Sequence, residues 1–459
     1  MSESALRAAV VGAGPSGFYA TDQLLKAGFE VDLLEVLPTP FGLVRAGVAP
    51  DHPKIKSVTR VYEKTAKQPG FRFYGGVELG GHVSRQDLLD RYHVVLYAVG
   101  TAADNKLGIP GEDRPGSHGA LEFVAWYNGH PDYADHEFDL SATRAVVIGN
   151  GNVAVDVARM LVLDPEEIAV TDTADHAIEP LAGASVHEVI VLGRRGPAQA
   201  AFTTPELREL GELTRADIIV DPADLELDPY SARWLEEEGE PTNKRNVELM
   251  REYAQRPPRG HERRVELRFL RSPVEILGEG EDGPVTGVRV VKNRIENGRA
   301  IPTGEEEVIS CGLVIRSIGY RGAPLAGIPF DERRGLISNL GGRVLNHDGE
   351  HEVGEYVVGW VKRGPSGVIG TNKKDATDTV ARILEDREAG KLNQPKDPDP
   401  AACEKFLAEQ CPQLVTWEGW RAIDEHETSL GEPQGRPRVK LVRTGEMVDV
   451  ASGSRSVAG

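Results

Sequence analysis

The chain has 459 residues, with 72 Asp and Glu against 53 Lys and Arg, so its formal net charge is −19. This acidity argues against general binding to nucleic acid or to a membrane surface, because both need cationic protein surface. Only three cysteines occur, which excludes a disulfide scaffold and cysteine-ligated iron–sulfur clusters. No apolar run reaches the roughly 20 residues of a spanning helix. These features predict a cytoplasmic protein without a metal site.

The first predicted unit is a strand, a glycine-rich turn and a helix near the start of the chain. Gly12, Gly14 and Gly17 form the pattern GxGxxG, and the next strand ends at Glu35. Gly12 permits a tight turn, Gly14 lets the backbone approach a pyrophosphate, and Gly17 lets the helix pack on the strand. Glu35 can accept hydrogen bonds from a ribose diol. The position at the start of the chain favours FAD, although the motif alone does not separate FAD from a nicotinamide dinucleotide.

The second predicted unit repeats the strand, glycine-rich turn and helix, but its next strand is followed by basic residues instead of ending in an acid. Residues 144–148 form an apolar strand, and Gly149, Gly151 and Ala154 follow as GxGxxA. The next apolar strand runs into Arg194-Arg195, where an NAD site would have an acid. Paired guanidinium groups bind a 2′-phosphate, so this unit is predicted to bind NADPH. FAD and NADPH in one chain together imply hydride transfer between them.

These two modules predict an α/β fold with two Rossmann-like dinucleotide-binding domains, arranged as in glutathione-reductase-like flavoproteins. The NADPH domain is expected to be inserted into the FAD domain. The predicted boundaries are 1–105 for the first part of the FAD domain, 106–331 for the NADPH domain, and 332–459 for the second part of the FAD domain with a C-terminal tail. Residues 394–414, which contain several prolines and two cysteines, are expected to be an excursion on the surface.

Two segments have a net positive charge, although the chain as a whole is acidic. Residues 52–74 contain six basic residues and one acid, and residues 243–272 contain nine basic residues and four acids. One interpretation is that both are solvated faces of helices or strands. The other is that they dock an acidic protein partner, which a cationic surface would attract.

Residues 40–53, PFGLVRAGVAPDHP, resemble the signature of the adrenodoxin reductase family. Within that family they are most similar to the bacterial NADPH–ferredoxin reductases of the FprA type. Segments 196–209, 360–372 and 416–420 are similar to the same family. The resemblance therefore covers nearly the whole chain.

The resemblance also implies a set of site residues. FAD, bound non-covalently, would contact Ala13, Gly14, Glu35, Leu43, Val83, Trp360, Gly367, Val368 and Ile369. NADPH would contact Asn150, Gly151, Asn152, Val153, Arg194, Arg195, Glu206 and Gly367. His52 and Glu209 match a pair that the family places near the flavin, as candidate catalytic residues. A histidine and a carboxylate there could position the nicotinamide or tune the charge beside the flavin.

The function implied by the resemblance is hydride transfer from NADPH to FAD, followed by transfer of single electrons to a separate acidic ferredoxin. A disulfide reductase is rejected, because the chain has no Cys-x-x-Cys. A flavin monooxygenase would need an oxygen-activating fingerprint that the sequence does not show. A non-catalytic NADPH sensor would keep both folds and lose the flavin, so flavin absorbance in the purified protein separates it from a reductase.

Overall fold

The computed structural model describes residues 5–367 and 369–453. The chain divides into two compact units: one comprises the described residues up to Val48, His52–Ala103 and the chain from Tyr320 onward, and the other Ala49–Asp51 and Asp104–Gly319. The second unit thus ends at Gly319, whereas the sequence predicted a boundary at residue 331. The difference arises because residues 330–337 form a small strand pair within the first unit.

The strands, in chain order, are β1 (Arg7–Val11), β2 (Glu30–Glu35), β3 (Phe71–Gly75), β4 (Val94–Tyr97), β5 (Ala103–Asp104), β6 (Ser117–Gly119), β7 (Arg144–Ile148), β8 (Glu188–Leu192), β9 (Ala216–Val220), β10 (Arg263–Arg268), β11 (Arg271–Gly278), β12 (Val285–Glu296), β13 (Arg299–Ser310), β14 (Leu313–Arg316), β15 (Tyr320–Arg321), β16 (Phe330–Asp331), β17 (Leu336–Ile337), β18 (Asn339–Leu340), β19 (Arg343–Leu345), β20 (His351–Val357) and β21 (Val415–Thr416).

The α-helices are α1 (Pro15–Lys26), α2 (Leu43–Ala46), α3 (Pro53–Lys56), α4 (Thr59–Thr65), α5 (Arg85–Leu89), α6 (Ala120–Tyr127), α7 (Asn152–Val162), α8 (Pro165–Ala169), α9 (Asp175–Ala182), α10 (Thr204–Glu212), α11 (Pro229–Glu237), α12 (Pro241–Gln255), α13 (Trp360–Arg363), α14 (Ile369–Glu388), α15 (Pro400–Gln410), α16 (Trp417–Gly431) and α17 (Thr444–Ala451).

The first unit is built on an eight-stranded sheet in the order β18-β19-β20-β4-β1-β2-β3-β21. Its central strands β20, β4, β1, β2 and β3 are parallel, and the strands at both edges are antiparallel. All five residues of β1 are buried, as expected for a parallel strand covered on both faces. The chain leaves β1 into α1 and returns as β2, while β4 lies on the other side, so the carboxyl end of β1 is a switch point where ligands bind.

The second unit repeats this topology on a six-stranded parallel sheet in the order β6-β14-β7-β8-β10-β9. Strand β7 leads into α7 and back to β8, and β14 lies on its other side. This unit also has a separate three-stranded antiparallel sheet, β11-β12-β13. The carboxyl end of β7 is therefore the counterpart of the carboxyl end of β1.

An aromatic cluster stabilises the first unit around α1. The Phe18 ring stacks on Tyr62 with centroids 4.8 Å apart, and Phe41 packs edge-on against Trp420 at 5.5 Å. Arg45 of α2 forms a two-bond ion pair with Glu427 of α16, whose side chain is fully buried. Burial alone would raise the pKa of Glu427, but the arginine charges around it hold that pKa below its usual value. The segment of residues 40–53 is thus fixed to the last third of the chain.

Residues 394–414 lie largely on the surface, as expected, but a helix anchors the segment to the core. This segment contains α15, and both of its cysteines, Cys403 and Cys411, are 1% exposed within an apolar cluster. The Cys403 thiol lies 2.9 Å from the Tyr92 hydroxyl, which donates to Asp32. Pro400 is the first residue of α15, so a proline-rich composition is compatible with a helix that packs on the core.

Across the described residues, no helix combines the length and the apolarity needed to cross a membrane.

We predict that Asp104 makes the stability of the second unit depend on pH. Burial raises the pKa of Asp104 to about 6, although the Leu121 N–H donates to its carboxylate. A pKa that is higher in the folded state makes ionisation costly, so the protonated form stabilises the fold and this stabilisation is lost as the pH rises through about 6. Relative to wild type, Asp104→Asn should gain about 2–3 kcal/mol in unfolding free energy between pH 4 and pH 8.

Denaturant unfolding at several pH values measures this difference. The exposed Asp282 is the matched control, and Asp282→Asn should show no such trend. A difference between Asp104→Asn and wild type that stays constant from pH 4 to pH 8 would contradict the prediction.

Candidate functional site

The glycine turn after β1 is shaped by two close backbone contacts and one open position. Gly12 has a φ of +109°, and a Cβ there would lie 2.5 Å from the Ala98 carbonyl oxygen. A Cβ on Gly17 would lie 2.0 Å from the Gly12 oxygen, whereas a Cβ on Gly14 would meet nothing within 4 Å. The first and third glycines are therefore needed for packing. The second glycine faces open space in which a ligand could approach the backbone.

The turn after β7 has the same geometry. Gly149 has a φ of +124°, and a Cβ there would lie 2.0 Å from the Ser317 carbonyl oxygen. A Cβ on Gly151, like one on Gly14, would meet nothing within 4 Å, and Ala154 is completely buried at the third position. In each unit, the first glycine also donates its N–H to the strand alongside: Gly12 to Leu34 at 2.7 Å, and Gly149 to Leu192 at 2.9 Å.

The helices that follow these turns begin without a side-chain cap. Gly14 and Gly151 are the N-cap residues of α1 and α7, both with extended backbone, and neither helix start has a side-chain cap hydrogen bond. The first-turn N–H groups of a helix have no acceptor within the helix and attract anions. Each open glycine thus lies beside a group of donors suited to a phosphate.

Glu35 is oriented by the backbone at the end of β2. Its carboxylate accepts from the Ala13 N–H at 2.8 Å and from the Leu37 N–H at 3.3 Å. Burial raises the pKa of Glu35, and these N–H groups oppose that rise. Glu35 is a fixed acceptor beside the first glycine turn.

The segment at residues 40–53 lies directly against this turn. The Phe41 N–H donates to the Ala13 carbonyl at 2.8 Å, and a Cβ on Gly42 would lie 3.0 Å from the Gly14 Cα. Phe41 adopts a φ of +86°, which is an unusual conformation for a bulky residue. Leu43 follows as the first residue of α2. The structure therefore brings the predicted FAD contacts at residues 13, 14, 35 and 43 into one neighbourhood.

Trp360 also lies near this turn, because the residue before it packs on α1. Gly359 has a φ of +80°, and a Cβ there would lie 2.3 Å from the Ser16 hydroxyl oxygen. Asp375 of α14 accepts from the Gly359 N–H and from the Lys362 ammonium, both at 2.6 Å. The Trp360 indole N–H is buried and has no acceptor among the described residues. It is an available donor on the residue that follows this contact with α1.

The remaining predicted FAD contacts are less closely grouped. Val83 is 2% exposed and packs in the apolar core of the first unit. Gly367 is exposed with a φ of +80°, and Ile369 begins α14. Val368 lies outside the described residues.

The predicted phosphate-binding arginines follow β8. Arg194 and Arg195 are both exposed, and neither forms an ion pair with a described residue. Partial burial and the neighbouring Arg194 charge lower the pKa of Arg195. Two adjacent guanidinium groups without a carboxylate partner form a site for an anion.

Two asparagines of the second glycine turn connect it to the loops around it. Asn152 accepts from the Thr203 N–H at 2.8 Å, and the Asn150 carbonyl accepts from the Ala201 N–H at 3.1 Å. A Cβ on Gly193 would lie 2.7 Å from the Asn150 side-chain nitrogen. The predicted NADPH contacts at residues 150–153 and 194–195 are therefore parts of one surface.

A buried ion cluster around Arg159 of α7 was missed in the sequence. The Arg159 side chain is 3% exposed and contacts Asp156 and Asp51 at 3.0 Å. Its Nη1 also pairs with Glu209 and lies 3.8 Å from a carboxylate oxygen of Glu206. Two predicted site residues are thus held by a guanidinium. An arginine on the largely apolar face of α7 is the signal that could have revealed it.

The predicted catalytic pair falls in different units. His52 lies in the first unit, where it is 5% exposed and immediately precedes α3. Glu209 lies in the second unit, on α10, with Arg159 as a partner. Their joint role stays a prediction.

Several basic residues of segment 243–272 are engaged in contacts within the second unit. Arg264 pairs with Glu188 at 2.7 Å, and Arg268 and Arg271 both pair with Glu307 at 2.7 Å. Arg263 donates to a backbone carbonyl at 3.0 Å. These arginines hold neighbouring elements of the second unit together, because their acidic partners come from outside the segment.

Residues 52–74 differ from that segment. Arg60, Lys64 and Lys67 are exposed along and just after α4, at a spacing that places them on one helix face. Lys54 on α3 is also exposed, and the described residues offer none of these four an ion pair. Arg72, in contrast, pairs with acids of the same sheet. We call Lys54, Arg60, Lys64 and Lys67 the α3–α4 cationic group.

Two sheets with parallel central strands, each with an open glycine turn at the carboxyl end of one of them, define a two-dinucleotide α/β oxidoreductase. Comparison with known proteins agrees with this class. The family model for pyridine nucleotide-disulphide oxidoreductases matches residues 6–191. None of the three cysteines lies within that range.

Three relatives resemble nearly the whole chain. NADPH-ferredoxin reductase FprA of Mycobacterium leprae (strain TN) is 48% identical, over 97% of this chain and 98% of the relative. The mitochondrial NADPH:adrenodoxin oxidoreductase of Arabidopsis thaliana is 40% identical, over 98% and 96%. The structure of Mycobacterium tuberculosis FprA in complex with NADPH matches with a TM-score of 0.91 at 48% identity, over 98% of this chain and all of that one.

The chain therefore belongs to the family of NADPH–ferredoxin and NADPH–adrenodoxin reductases. The predicted fold, with two Rossmann-like domains in a glutathione-reductase-like arrangement, is confirmed.

We predict that Arg159 is essential for the stability of the second unit. Replacing it with methionine keeps much of its volume but removes the guanidinium that contacts several buried or half-buried carboxylates. Removing one partner of a buried ion pair costs about 3–5 kcal/mol, so Arg159→Met should lower the unfolding free energy by about that amount. Arg245 is the control, because its pairs with Glu248 and Glu252 are exposed. Arg245→Met should change stability by no more than about 0.5 kcal/mol, and equal effects of the two variants would contradict the prediction.

Proposed function

We propose that this chain is an NADPH-dependent flavoprotein reductase that takes a hydride from NADPH onto FAD and delivers single electrons to a separate ferredoxin-type iron–sulfur protein. The observation that carries the proposal is a pair of equivalent open glycine turns followed by opposite charges. The first turn is followed by Glu35 and the second by Arg194 and Arg195. The same dinucleotide-binding device is thus fitted for two different dinucleotides.

The first unit fits FAD. Gly14 leaves room beside the N-terminus of α1 for the pyrophosphate, and Glu35 is oriented to accept from the ribose hydroxyls. The unpartnered indole N–H of Trp360 would donate to the cofactor. The other proposed FAD contacts are Leu43, Val83, Gly367, Val368 and Ile369.

The second unit fits NADPH. Gly151 leaves the corresponding space beside α7, and Arg194 and Arg195 would bind the 2′-phosphate from both guanidinium groups. Asn150, Asn152 and Val153 would line the path of the pyrophosphate at the start of α7, with Glu206 nearby on α10.

The protein contributes orientation and charge to the reaction. When bound, the two cofactors supply hydride transfer from nicotinamide to flavin and the conversion from two-electron to one-electron chemistry. We propose that His52 and Glu209 position the nicotinamide. For Glu209 the ion pair with Arg159 supports a positioning role, because it restrains the carboxylate.

A thiol-based mechanism is not proposed. Cys311, Cys403 and Cys411 are all buried and form no disulfide, and burial raises the pKa of the Cys311 thiol to about 12. Thiols of this kind are not nucleophilic. Buried, unpaired cysteines are also typical of a reducing compartment, so we propose a cytoplasmic location.

The two glycine turns allow the cofactor assignment to be tested one site at a time. A valine at residue 14 or 151 meets no protein atom within 4 Å of its Cβ, so both variants should fold. Gly14→Val should lower flavin content at least about tenfold, because the side chain occupies the pyrophosphate space. Gly151→Val should retain flavin and raise the KM for NADPH at least about tenfold.

Flavin absorbance per protein and NADPH kinetics with ferricyanide measure these effects, and each variant is the control for the other. A folded Gly14→Val protein with normal flavin content would refute the assignment of FAD to the first unit. Loss of flavin in Gly151→Val would refute the assignment of the two units to different cofactors.

We further propose that the α3–α4 cationic group docks an acidic ferredoxin. Its four basic side chains are exposed, and two exposed apolar side chains, Ile55 and Val61, lie in the same segment. Cationic residues steer an acidic partner during association, and apolar residues add contact area once it is bound. The proposal is made for this group rather than for residues 243–272, because Arg264, Arg268 and Arg271 of that segment are engaged in internal ion pairs.

Charge reversal tests the docking proposal. Arg60→Glu with Lys64→Glu should slow reduction of an acidic ferredoxin by about tenfold or more at low ionic strength, with a smaller effect at high salt. Reduction of ferricyanide should be unchanged. The control is Arg299→Glu with Lys391→Glu, which makes the same charge change at exposed positions elsewhere. Equal slowing by both double variants would show an effect of net charge alone and would overturn the proposal.

A further inference from the structure

The loop that carries Arg194 and Arg195 is held from outside by the first two strands of the three-stranded sheet. The Leu270 N–H donates to the Arg195 carbonyl at 3.1 Å, and the Arg271 N–H donates to the Gly193 carbonyl at 3.0 Å. Leu270 has a φ of +56°, a strained conformation for a branched side chain. Strain of this kind persists only where the surrounding structure imposes it, so the position of this loop is specified.

The middle carbonyl of the loop is held by a side chain instead of the backbone. Asn293 of β12 donates its amide to the Arg194 carbonyl at 2.8 Å and to the Ser272 hydroxyl at 2.8 Å. Its own N–H donates to the Leu270 carbonyl, also at 2.8 Å. Asn293 therefore supports the same loop twice, directly through Arg194 and indirectly through Leu270.

An asparagine at position 293 carries a cost in folding free energy. It is 2% exposed, and its side-chain oxygen has no partner among the described residues. A buried amide that is only partly hydrogen-bonded destabilises a protein relative to an apolar residue of similar size. The bond to the Arg194 carbonyl is the one contact of this side chain that reaches the arginine loop. We therefore infer that Asn293 is present at this position because it holds the arginine loop in place.

We propose that Asn293 is a specificity-determining positioning residue for the 2′-phosphate of the nicotinamide dinucleotide, which rests on the proposed function of Arg194 and Arg195. The two adjacent guanidinium groups repel each other when no anion is bound. By fixing the Arg194 carbonyl, Asn293 keeps the two side chains leaving the loop in directions from which both can reach one phosphate. Such preorganisation favours the phosphorylated coenzyme and is neutral toward the unphosphorylated one.

The test compares holoenzyme carrying Asn293→Ala with wild type, using NADPH and NADH as coenzymes and ferricyanide as acceptor. The KM for NADPH should rise about tenfold, as expected for one lost buried hydrogen bond, while the KM for NADH stays within about twofold. The Kd for 2′,5′-ADP, which carries the 2′-phosphate without the nicotinamide, should rise by a similar factor. Ser272→Ala removes the other partner of the amide and should leave all three values within about twofold.

The ratio of the two coenzyme effects decides between positioning and general damage. An equal rise in KM for NADPH and NADH is the result of a merely structural role and overturns the proposal. Unchanged binding of 2′,5′-ADP by Asn293→Ala overturns it as well. Asn293→Leu keeps the volume of the side chain and removes only its polar atoms, so it should show the same selective loss. Normal selectivity in that variant would also overturn the proposal.

A separate variant distinguishes failure of this proposal from failure of the proposed function. Arg194→Ala with Arg195→Ala should abolish the preference for NADPH altogether. If wild type itself shows no preference for NADPH over NADH, the assignment of the arginines fails. If that preference exists and depends on the arginines but survives in Asn293→Ala, only the role of Asn293 fails.

Discussion

Both units depend on one steric constraint, the contact between the first glycine of the turn and the backbone beyond the neighbouring strand. A Cβ on Gly12 would come within 2.5 Å of the Ala98 carbonyl, and one on Gly149 within 2.0 Å of Ser317. This contact sets the direction in which the chain enters α1 and α7. It thereby places the uncapped helix starts and the open positions at Gly14 and Gly151 together. Anion binding is a consequence of how tightly the strands and turns pack.

Unpaired charged side chains, like the open positions at Gly14 and Gly151, occur at only some places in the structure. Many of the arginines of this acidic chain form ion pairs within their own unit. Arg159 pairs with a cluster of carboxylates, and Arg264 pairs with Glu188. Against that background, Arg194, Arg195 and the α3–α4 cationic group are exposed basic residues that form no ion pair with a described residue. A net charge of −19 is therefore compatible with local groups of unpaired basic residues.

The features that could be predicted from the sequence were those whose physical role follows from a short motif alone. The glycines at 12, 14 and 17 each have a role that follows from backbone geometry, and the structure bears out the close contacts and the open position. The basic segment at 243–272 could not be interpreted this way, because the carboxylates that neutralise it are remote in the chain, such as Glu188 and Glu307. Arg159 and Asn293 were missed for the same reason: their partners are defined only by the fold.

The most informative difference between the two units lies in what supports the residues at the end of β2 in the first unit and after β8 in the second. In the first unit, Glu35 is oriented by the N–H groups of Ala13 and Leu37, which belong to the turn and to the residues that follow it. In the second, the arginine loop is held by a separate three-stranded sheet through Leu270 and Asn293. A carboxylate can be satisfied by backbone donors close by, whereas two like charges need an external support to stay side by side. The additional sheet of the second unit thus supports the loop that carries Arg194 and Arg195.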